Sequence, residues 1–192
     1  MEQGKIVIDD IDISKIGLKS LRSKLTIVPQ DPTIFEGNLR YNLDPMHIYK
    51  DNEIQDAIEK VSLFKLMKEN GRDVSKGLQM KIKDCGSNLS LGEKQLICFA
   101  RAILRKSTVV LLDEATASVD HKTEQMIQDV IDNVFEDCTL ITIAHRLQTV
   151  KKCDKVIVMD NGRVVEFDTV DNLLHKENGM FKLLYQRNNK LT

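Results

Sequence analysis

Three short, largely apolar segments, each followed within two residues by a polar side chain, constrain the fold of this chain more than any other feature. They cover residues 25–28, 108–112 and 139–144. Unbroken apolar strands are typical of parallel sheets that are covered on both faces. Amphipathic helical patterns separate these segments, among them those at 93–104 and 123–134. Because strands alternate with helices, the sequence predicts an α/β fold with a parallel sheet.

The middle of the chain is predicted to be a helical subdomain inserted into this sheet domain. Apolar residues share one helix face between 53 and 61, with Asp51 as the predicted N-cap. Ser90 and Glu93 have the Ser-x-x-Glu spacing of a capping box, which predicts the start of the next helix. We therefore predict an α/β core over 1–30 and 106–192, with the helical subdomain over 31–105.

Both ends of the chain carry further local signals. Residues 5–9 form an apolar-rich segment that predicts a short strand. Asp160-Asn161-Gly162 stands between two apolar segments, which predicts a hairpin turn. Two amphipathic helices are predicted after it, at 170–175 and 180–186.

Composition excludes several classes of protein. The chain has 192 residues, with 28 Lys and Arg against 29 Asp and Glu, and its net charge of −1 argues against a generally basic nucleic-acid binder. No apolar stretch is long enough to span a bilayer, and an acidic pair stands where a signal peptide needs apolar residues. The four cysteines form no C-x-x-C motif and lie at no metal-ligand spacing from histidine, so we predict reduced thiols and no structural metal.

Two consecutive acids, Asp113 and Glu114, end the second apolar segment. In open α/β sheets, ligands bind at the carboxyl ends of the strands. An aspartate there can hold Mg²⁺, which in turn clamps nucleotide phosphates. The following glutamate could polarise an attacking water as a general base. The alternative is that the pair only begins a solvated loop.

Two more polar residues follow the other two apolar segments. His145 comes after the third segment and could donate a hydrogen bond to a terminal phosphate. Gln30 comes after the first, and its amide can touch Mg²⁺ or water. Taken alone, each has a plainer interpretation, a structural histidine and an ordinary turn residue.

The segment Leu-Ser-Leu-Gly-Glu-Lys-Gln, residues 89–95, offers a third kind of site. A helix N-terminus has free backbone N–H groups and a positive dipole end, which together attract anions. Gly92 would let a ligand approach the backbone closely. The alternative is a plain capping box, which explains Ser90 and Glu93 without any ligand.

The three motifs together resemble the nucleotide-binding domain of ABC transporters. They are Leu-Ser-Leu-Gly-Glu-Lys-Gln, Leu-Leu-Asp-Glu-Ala-Thr-Ala-Ser-Val-Asp and Ile-Ala-His-Arg-Leu, in that order. Residues 16–45, with Glu114 and Leu91, resemble more closely the second such domain of the multidrug-resistance-associated subfamily, subfamily C. The resemblance implies a P-loop NTPase-like (RecA-like) parallel sheet with an inserted α-helical subdomain.

The resemblance also implies a role at each matched position at the sheet edge. Asp113 matches the Walker B aspartate that holds Mg²⁺, and Glu114 matches the catalytic base. His145 matches the switch histidine. Gln30 matches the Q-loop glutamine, which senses Mg²⁺ and couples to the membrane domain.

Further implied roles concern a second domain. Residues 89–95 match the signature motif, which binds the γ-phosphate of ATP held by the opposite nucleotide-binding domain, with Ser90 and Gly92 as the contacting residues. Asp120 matches the D-loop aspartate at the dimer seam. The implied cofactors are ATP and Mg²⁺. The implied partners are the opposite nucleotide-binding domain and the transmembrane domains of the same transporter, without nucleic acid, at the cytoplasmic face of a membrane.

The sequence departs from the family pattern in two ways. Glu93-Lys94 stands where the family usually has Gln-Arg, which puts a negative charge near an expected phosphate unless the capping box engages Glu93. The chain also contains no G-x-x-x-x-G-K-[ST] phosphate cradle. We therefore expect a partial domain without the N-terminal strand and P-loop, weak or no ATP binding by the isolated chain, and exposed apolar surface.

The leading hypothesis is a C-terminal fragment of an ABC exporter ATPase domain, whose parent couples ATP hydrolysis to transport. One alternative is a binding module without a P-loop that offers its signature motif in trans, and another is a non-functional truncated product. A soluble ABC-type ATPase of DNA repair or translation is disfavoured by the near-zero net charge and by residues 16–45. The isolated chain is predicted to lack hydrolytic activity.

Overall fold

A computed structural model describes residues 4–116, 119–144 and 150–189, with the side chains of 188 and 189 excepted. The chain divides into two compact units, residues 1–143 and 144–192. The strands of the first unit are β1 (Val7–Ile8), β2 (Ile11–Asp12), β3 (Leu25–Val28), β4 (Gly37–Asn38), β5 (Lys81–Ile82), β6 (Val109–Asp113) and β7 (Thr139–Ile143). Its helices are α1 (Leu18–Lys24), α2 (Leu39–Leu43), α3 (Asp51–Lys60), α4 (Leu63–Glu69), α5 (Leu91–Arg105) and α6 (His121–Val134).

The three apolar segments form one parallel sheet in the order β3-β6-β7, which confirms the predicted fold class. Val28 pairs with Leu112, and Asp113 pairs with Ile143, so the strands end at a common edge. The polar residues that follow β3 and β6 are therefore presented on the same side of the sheet.

The two faces of this sheet have different surroundings. Val28, Val110 and Leu112 point into the main core and are almost fully buried. Ile27 and Ile141 flank Leu111 in the strand register on the opposite face, and they are 63% and 50% exposed. The second face thus presents an apolar surface among the described residues.

Helix α5 is the centre of the main core. Leu96, Ile97, Phe99 and Ala100 have no exposed surface, and the helix packs against α2, α3, α4, α6 and β3. One continuous cluster of buried residues joins the sheet to the helical middle of the chain. The division into a core and a helical subdomain at residues 31 and 105 stays a prediction.

Two local predictions were wrong in detail. Residues 5–9 do not form one strand, because Asp9 and Asp10 adopt positive φ angles of 49° and 62° and turn the chain between β1 and β2. Asp and Asn tolerate this conformation better than most residues. Helix α3 begins at Asp51 rather than after it, and the Asp51 carboxylate accepts a hydrogen bond from Arg40 Nε at 2.8 Å.

The second unit has a small core of its own. It contains the antiparallel strands β8 (Val156–Asp160) and β9 (Arg163–Asp168), followed by α7 (Val170–His175) and α8 (Met180–Asn189). Asn161 and Gly162 both have positive φ angles, as a two-residue hairpin requires, which confirms the predicted turn. Val158, Leu173 and Phe181 are buried together. Within the described ranges, every helix of the chain is too short or too polar to cross a lipid bilayer.

Candidate functional site

The acid pair lies where β6 leaves the sheet. Asp113 is the last residue of β6 and its side chain is exposed. Glu114 has a φ angle of 48°, and its backbone N–H donates to the Ile143 carbonyl at 3.3 Å. A left-handed conformation is uncommon for a residue other than glycine, and such residues concentrate at functional sites. The turn at Glu114 takes its side chain out of the alternation of the strand.

Gln30 lies at the same edge, just beyond β3. Its side chain is exposed, and its backbone carbonyl accepts a hydrogen bond from Gln95 at 2.8 Å. The structure therefore brings Gln30, Asp113 and Glu114 to one end of the sheet, as their positions after the strands predict. His145 lies outside the described residues.

This edge offers few protein ligands for a cation. No group of three or more His, Cys, Asp or Glu side chains that could hold a metal occurs in 4–116, 119–144 or 150–189. Asp113 and Gln30 together supply one carboxylate and one amide. Mg²⁺ usually keeps several waters and takes one or two carboxylates together with substrate phosphates. The donors present fit Mg²⁺ that arrives with a nucleotide, rather than a site built from protein alone.

A capping box closes the N-terminus of α5, as its sequence predicts. The Glu93 backbone N–H donates to Ser90 Oγ at 3.2 Å, and the Ser90 N–H donates to Glu93 Oε2 at 2.7 Å. Asn70 Nδ2 also lies 3.5 Å from Ser90 Oγ. In these contacts Ser90 Oγ accepts, so its O–H group can still be directed to an anion in front of the helix.

The charge of Glu93 is neutralised inside the protein. Its side chain has no exposed surface, and Arg72 Nε donates to both carboxylate oxygens at 2.7 and 2.8 Å. Asn70 Nδ2 adds a hydrogen bond of 2.9 Å to Oε1. Lys94 does not take part, because its Nζ donates to the Cys85 carbonyl at 2.9 Å. The departure from the family pattern at Glu93 is thus accommodated by Arg72, a residue to which no local sequence pattern points.

Gly92 has a packing role that the sequence did not reveal. A Cβ atom at this position would lie 2.6 Å from Thr123 Cγ2 and 2.8 Å from Thr123 Oγ1. Both distances are shorter than a carbon atom can tolerate, so α5 and α6 can approach this closely only with glycine at 92. A contact between Gly92 and a ligand stays a prediction.

Asp120 caps the first turn of α6. Its carboxylate accepts hydrogen bonds from the Thr123 hydroxyl at 2.7 Å and from the Thr123 N–H at 3.0 Å. The hydroxyl bond first, and then the backbone bond, hold the pKa of Asp120 below its ordinary value. Thr123 therefore contacts both Gly92 and Asp120, and connects the start of α5 with the start of α6. The part of Asp120 in a dimer seam stays a prediction.

Comparisons with known proteins all point to the same family. Residues 1–117 match the family model described as ABC transporter. "Multidrug resistance protein mrp-7" of Caenorhabditis elegans is 48% identical over 178 residues, which are 93% of this chain and 11% of that protein. Human "ATP-binding cassette sub-family C member 2" is 50% identical over 171 residues, which are 89% of this chain and 11% of that protein. The chain spans about a tenth of the length of these curated relatives.

A solved structure has the same fold. It is described as a bacterial Atm1-family ABC exporter with ATP bound, and it superposes with a TM-score of 0.86 at 32% sequence identity. The match covers 97% of this chain and 32% of that one.

Proposed function

The chain belongs to the ABC transporter family, and from this premise we propose that it serves as part of an ATP-hydrolysing nucleotide-binding domain of a subfamily C exporter. The observation that carries the proposal is the common sheet edge at which β3 and β6 end, just before Gln30 and at Asp113 and Glu114. The relatives favour this exporter function over a module that acts only in trans. The transported compound would be bound by other parts of such a protein.

Each residue at this edge would have a separate role in ATP hydrolysis. Asp113 and Gln30 would hold Mg²⁺ through a carboxylate and an amide oxygen. When bound, Mg²⁺ would neutralise phosphate charge and polarise the γ-phosphoryl group. Glu114 would orient a water and accept its proton at the side-chain carboxylate. His145 would donate a hydrogen bond where negative charge develops on the phosphate.

The N-terminus of α5 would act on a nucleotide held by a second domain. The Ser90 hydroxyl has an available donor, and the helix dipole favours an anion in front of it. The negative charge of the Glu93 carboxylate would oppose the binding of an anion, and Arg72 neutralises that charge. Thr123 contacts both Gly92 and Asp120. A second domain that binds at either residue would therefore affect the positions of both α5 and α6.

The proposed setting follows from the same family. The partners are ATP, an opposite nucleotide-binding domain and the transmembrane domains of the same transporter, at the cytoplasmic face of a membrane. Because the net charge is −1, no nucleic acid is included among the partners.

The test uses the full-length polypeptide that carries this chain, reconstituted in lipid vesicles. Glu114→Gln keeps the size of the side chain and removes the proton acceptor. ATP hydrolysis should fall by at least about a hundredfold, while ATP binding is retained and the closed dimer accumulates. Glu136→Gln, an exposed glutamate just after α6, is the matched control and should hydrolyse ATP at the wild-type rate. Undiminished hydrolysis by Glu114→Gln would contradict the assigned base.

A further inference from the structure

Gln95, the last residue of the signature segment 89–95, connects helix α5 to the backbone of Gln30. It lies in α5, and its side chain is only 2% exposed. Its Nε2 donates to the Gln30 carbonyl at 2.8 Å and to the Pro29 carbonyl at 3.3 Å. The two glutamines are 65 residues apart in the sequence. A single buried amide thus ties α5 to the segment that presents a proposed Mg²⁺ ligand.

The chemistry of this amide fixes its orientation. The reversed orientation would place Oε1 against two carbonyl oxygens, which are acceptors only. With Nε2 facing the carbonyls, Oε1 is buried and has no hydrogen-bond partner in the described part of the chain. An unpaired buried acceptor is costly, because it gives up its bonds with water. A packing role alone would be filled better by an apolar side chain of the same size.

Arg101, further along α5, binds the chain beyond Gln30, at residues 33–42. Its guanidinium donates to the Asn42 carbonyl at 2.6 Å, to the Thr33 carbonyl at 2.7 Å and to Asn42 Oδ1 at 3.2 Å. Asn42 in turn bonds both the N–H and the carbonyl of Phe35. Residues 33–42 are therefore anchored by charge-assisted bonds, which are the stronger kind. At Pro29 and Gln30, by contrast, the bond from α5 is donated by the neutral amide of Gln95.

We propose that Gln95 is a positioning residue for Gln30, the proposed Mg²⁺ ligand at the sheet edge. The inference rests on the proposed function, because it assumes that Gln30 meets Mg²⁺. The Gln30 side chain is exposed and makes no hydrogen bond within the described ranges, so its direction depends on the placement of its backbone. The bond from Gln95 to the Gln30 carbonyl therefore sets the point from which the Gln30 side chain reaches the metal.

The first experiment tests the connection without nucleotide. Gln95→Met keeps the length and burial of the side chain, and the loss of the unpaired oxygen offsets part of the loss of the donor, so the variant should still fold. In the 192-residue chain, the carbonyl ¹³C resonance of Gln30 should shift upfield in Gln95→Met, because it loses a hydrogen bond. Gln55→Leu, an exposed substitution on α3, is the control and should leave that resonance in place. An unmoved Gln30 resonance in Gln95→Met would overturn the connection.

The second experiment tests its consequence for the metal. Mn²⁺ binding to the full-length polypeptide with a non-hydrolysable ATP analogue is followed by electron paramagnetic resonance. Gln95→Met and Gln30→Ala should each weaken Mn²⁺ binding by about tenfold, or about 1.4 kcal/mol. The double variant should be no weaker than Gln30→Ala alone, because Gln95 then has no ligand to position.

The outcomes separate the inference from the proposed function. Wild-type affinity for Mn²⁺ in Gln95→Met, or fully additive losses in the double variant, would overturn the positioning role and leave the proposed function intact. A wild-type protein that binds no metal–nucleotide complex would overturn the proposed function and with it the role of Gln95 toward the metal. The carbonyl shift would still report the hydrogen bond in that case.

Discussion

The Nε atom of Arg72 lies 2.7 Å from Oε1 and 2.8 Å from Oε2 of Glu93, a carboxylate with no exposed surface. Arg72 comes from the loop after α4, and Glu93 from the first turn of α5. The pair therefore joins two elements at the base of the signature segment. Removal of one partner leaves a buried charge, whereas removal of both charges does not.

Arg72→Ala should lower the free energy of unfolding by about 3 kcal/mol, because Glu93 then keeps only neutral donors. This loss is at the lower end of the range for buried pairs, since the Arg72 side chain is 28% exposed. The double variant Arg72→Ala with Glu93→Gln should be more stable than Arg72→Ala alone. Urea denaturation of the two variants measures the difference. The exposed Arg22→Ala is the control, with a change within about 0.5 kcal/mol. Equal midpoints for single and double variants would contradict a role for charge.

Gly92→Ala should destabilise the chain by about 1–3 kcal/mol, because the added methyl group overlaps the Thr123 side chain. Thr123→Ala removes both of the atoms that lie closest, so it should recover part of this loss in the double variant. Denaturation midpoints of the four proteins give the coupling. In the full-length polypeptide, hydrolysis that stays low while stability recovers would favour a ligand contact at Gly92. Recovery of both would assign the glycine to helix packing alone.

The contribution of Asp120 to stability should depend on pH. Its pKa is lowered in the folded state by the Thr123 hydroxyl and the Thr123 N–H. A depressed pKa stabilises the fold above the unfolded value, and this stabilisation is lost as the pH falls through the folded pKa. Asp120→Asn should therefore unfold at lower urea than wild type at pH 6, and the gap should close toward pH 3. Asp129→Asn, an exposed change on the same helix, is the control. A gap that stays constant with pH would contradict the assigned carboxylate.

Local patterns in the sequence predicted much of the fold. Largely apolar runs predicted β3, β6 and β7, although only one face of the resulting sheet is buried in the described residues. Ser90 and Glu93 predicted the start of α5, since a capping box is complete within four residues. The turn at Asp9 and Asp10 was not predicted. In the sequence, two aspartates after an apolar run look like the polar end of a strand, and their positive φ angles appear only in the structure.

The long-range contacts of the site could not be predicted in this way. Arg72 is 21 residues from Glu93, and Gln95 is 65 residues from Gln30. No local periodicity relates residues at these separations, so only the packing of α4, α5 and β3 brings them together. Gly92 was interpreted through a ligand, whereas its tight approach to Thr123 depends on how two separate helices meet.

Aggregation of the isolated chain should depend on the uncovered face of the sheet. Ile27, Ile141 and Ile143 are 63%, 50% and 57% exposed there, and contiguous apolar surface promotes association. Ile27→Thr with Ile141→Thr should raise the concentration at which light scattering appears by several-fold. The stability of the chain should change little, because Thr retains a high strand propensity and neither isoleucine is buried. Ile54→Thr, in the core, is the contrasting variant and should cost about 2 kcal/mol without raising that concentration. An unchanged scattering threshold in the double variant would locate the association at another surface.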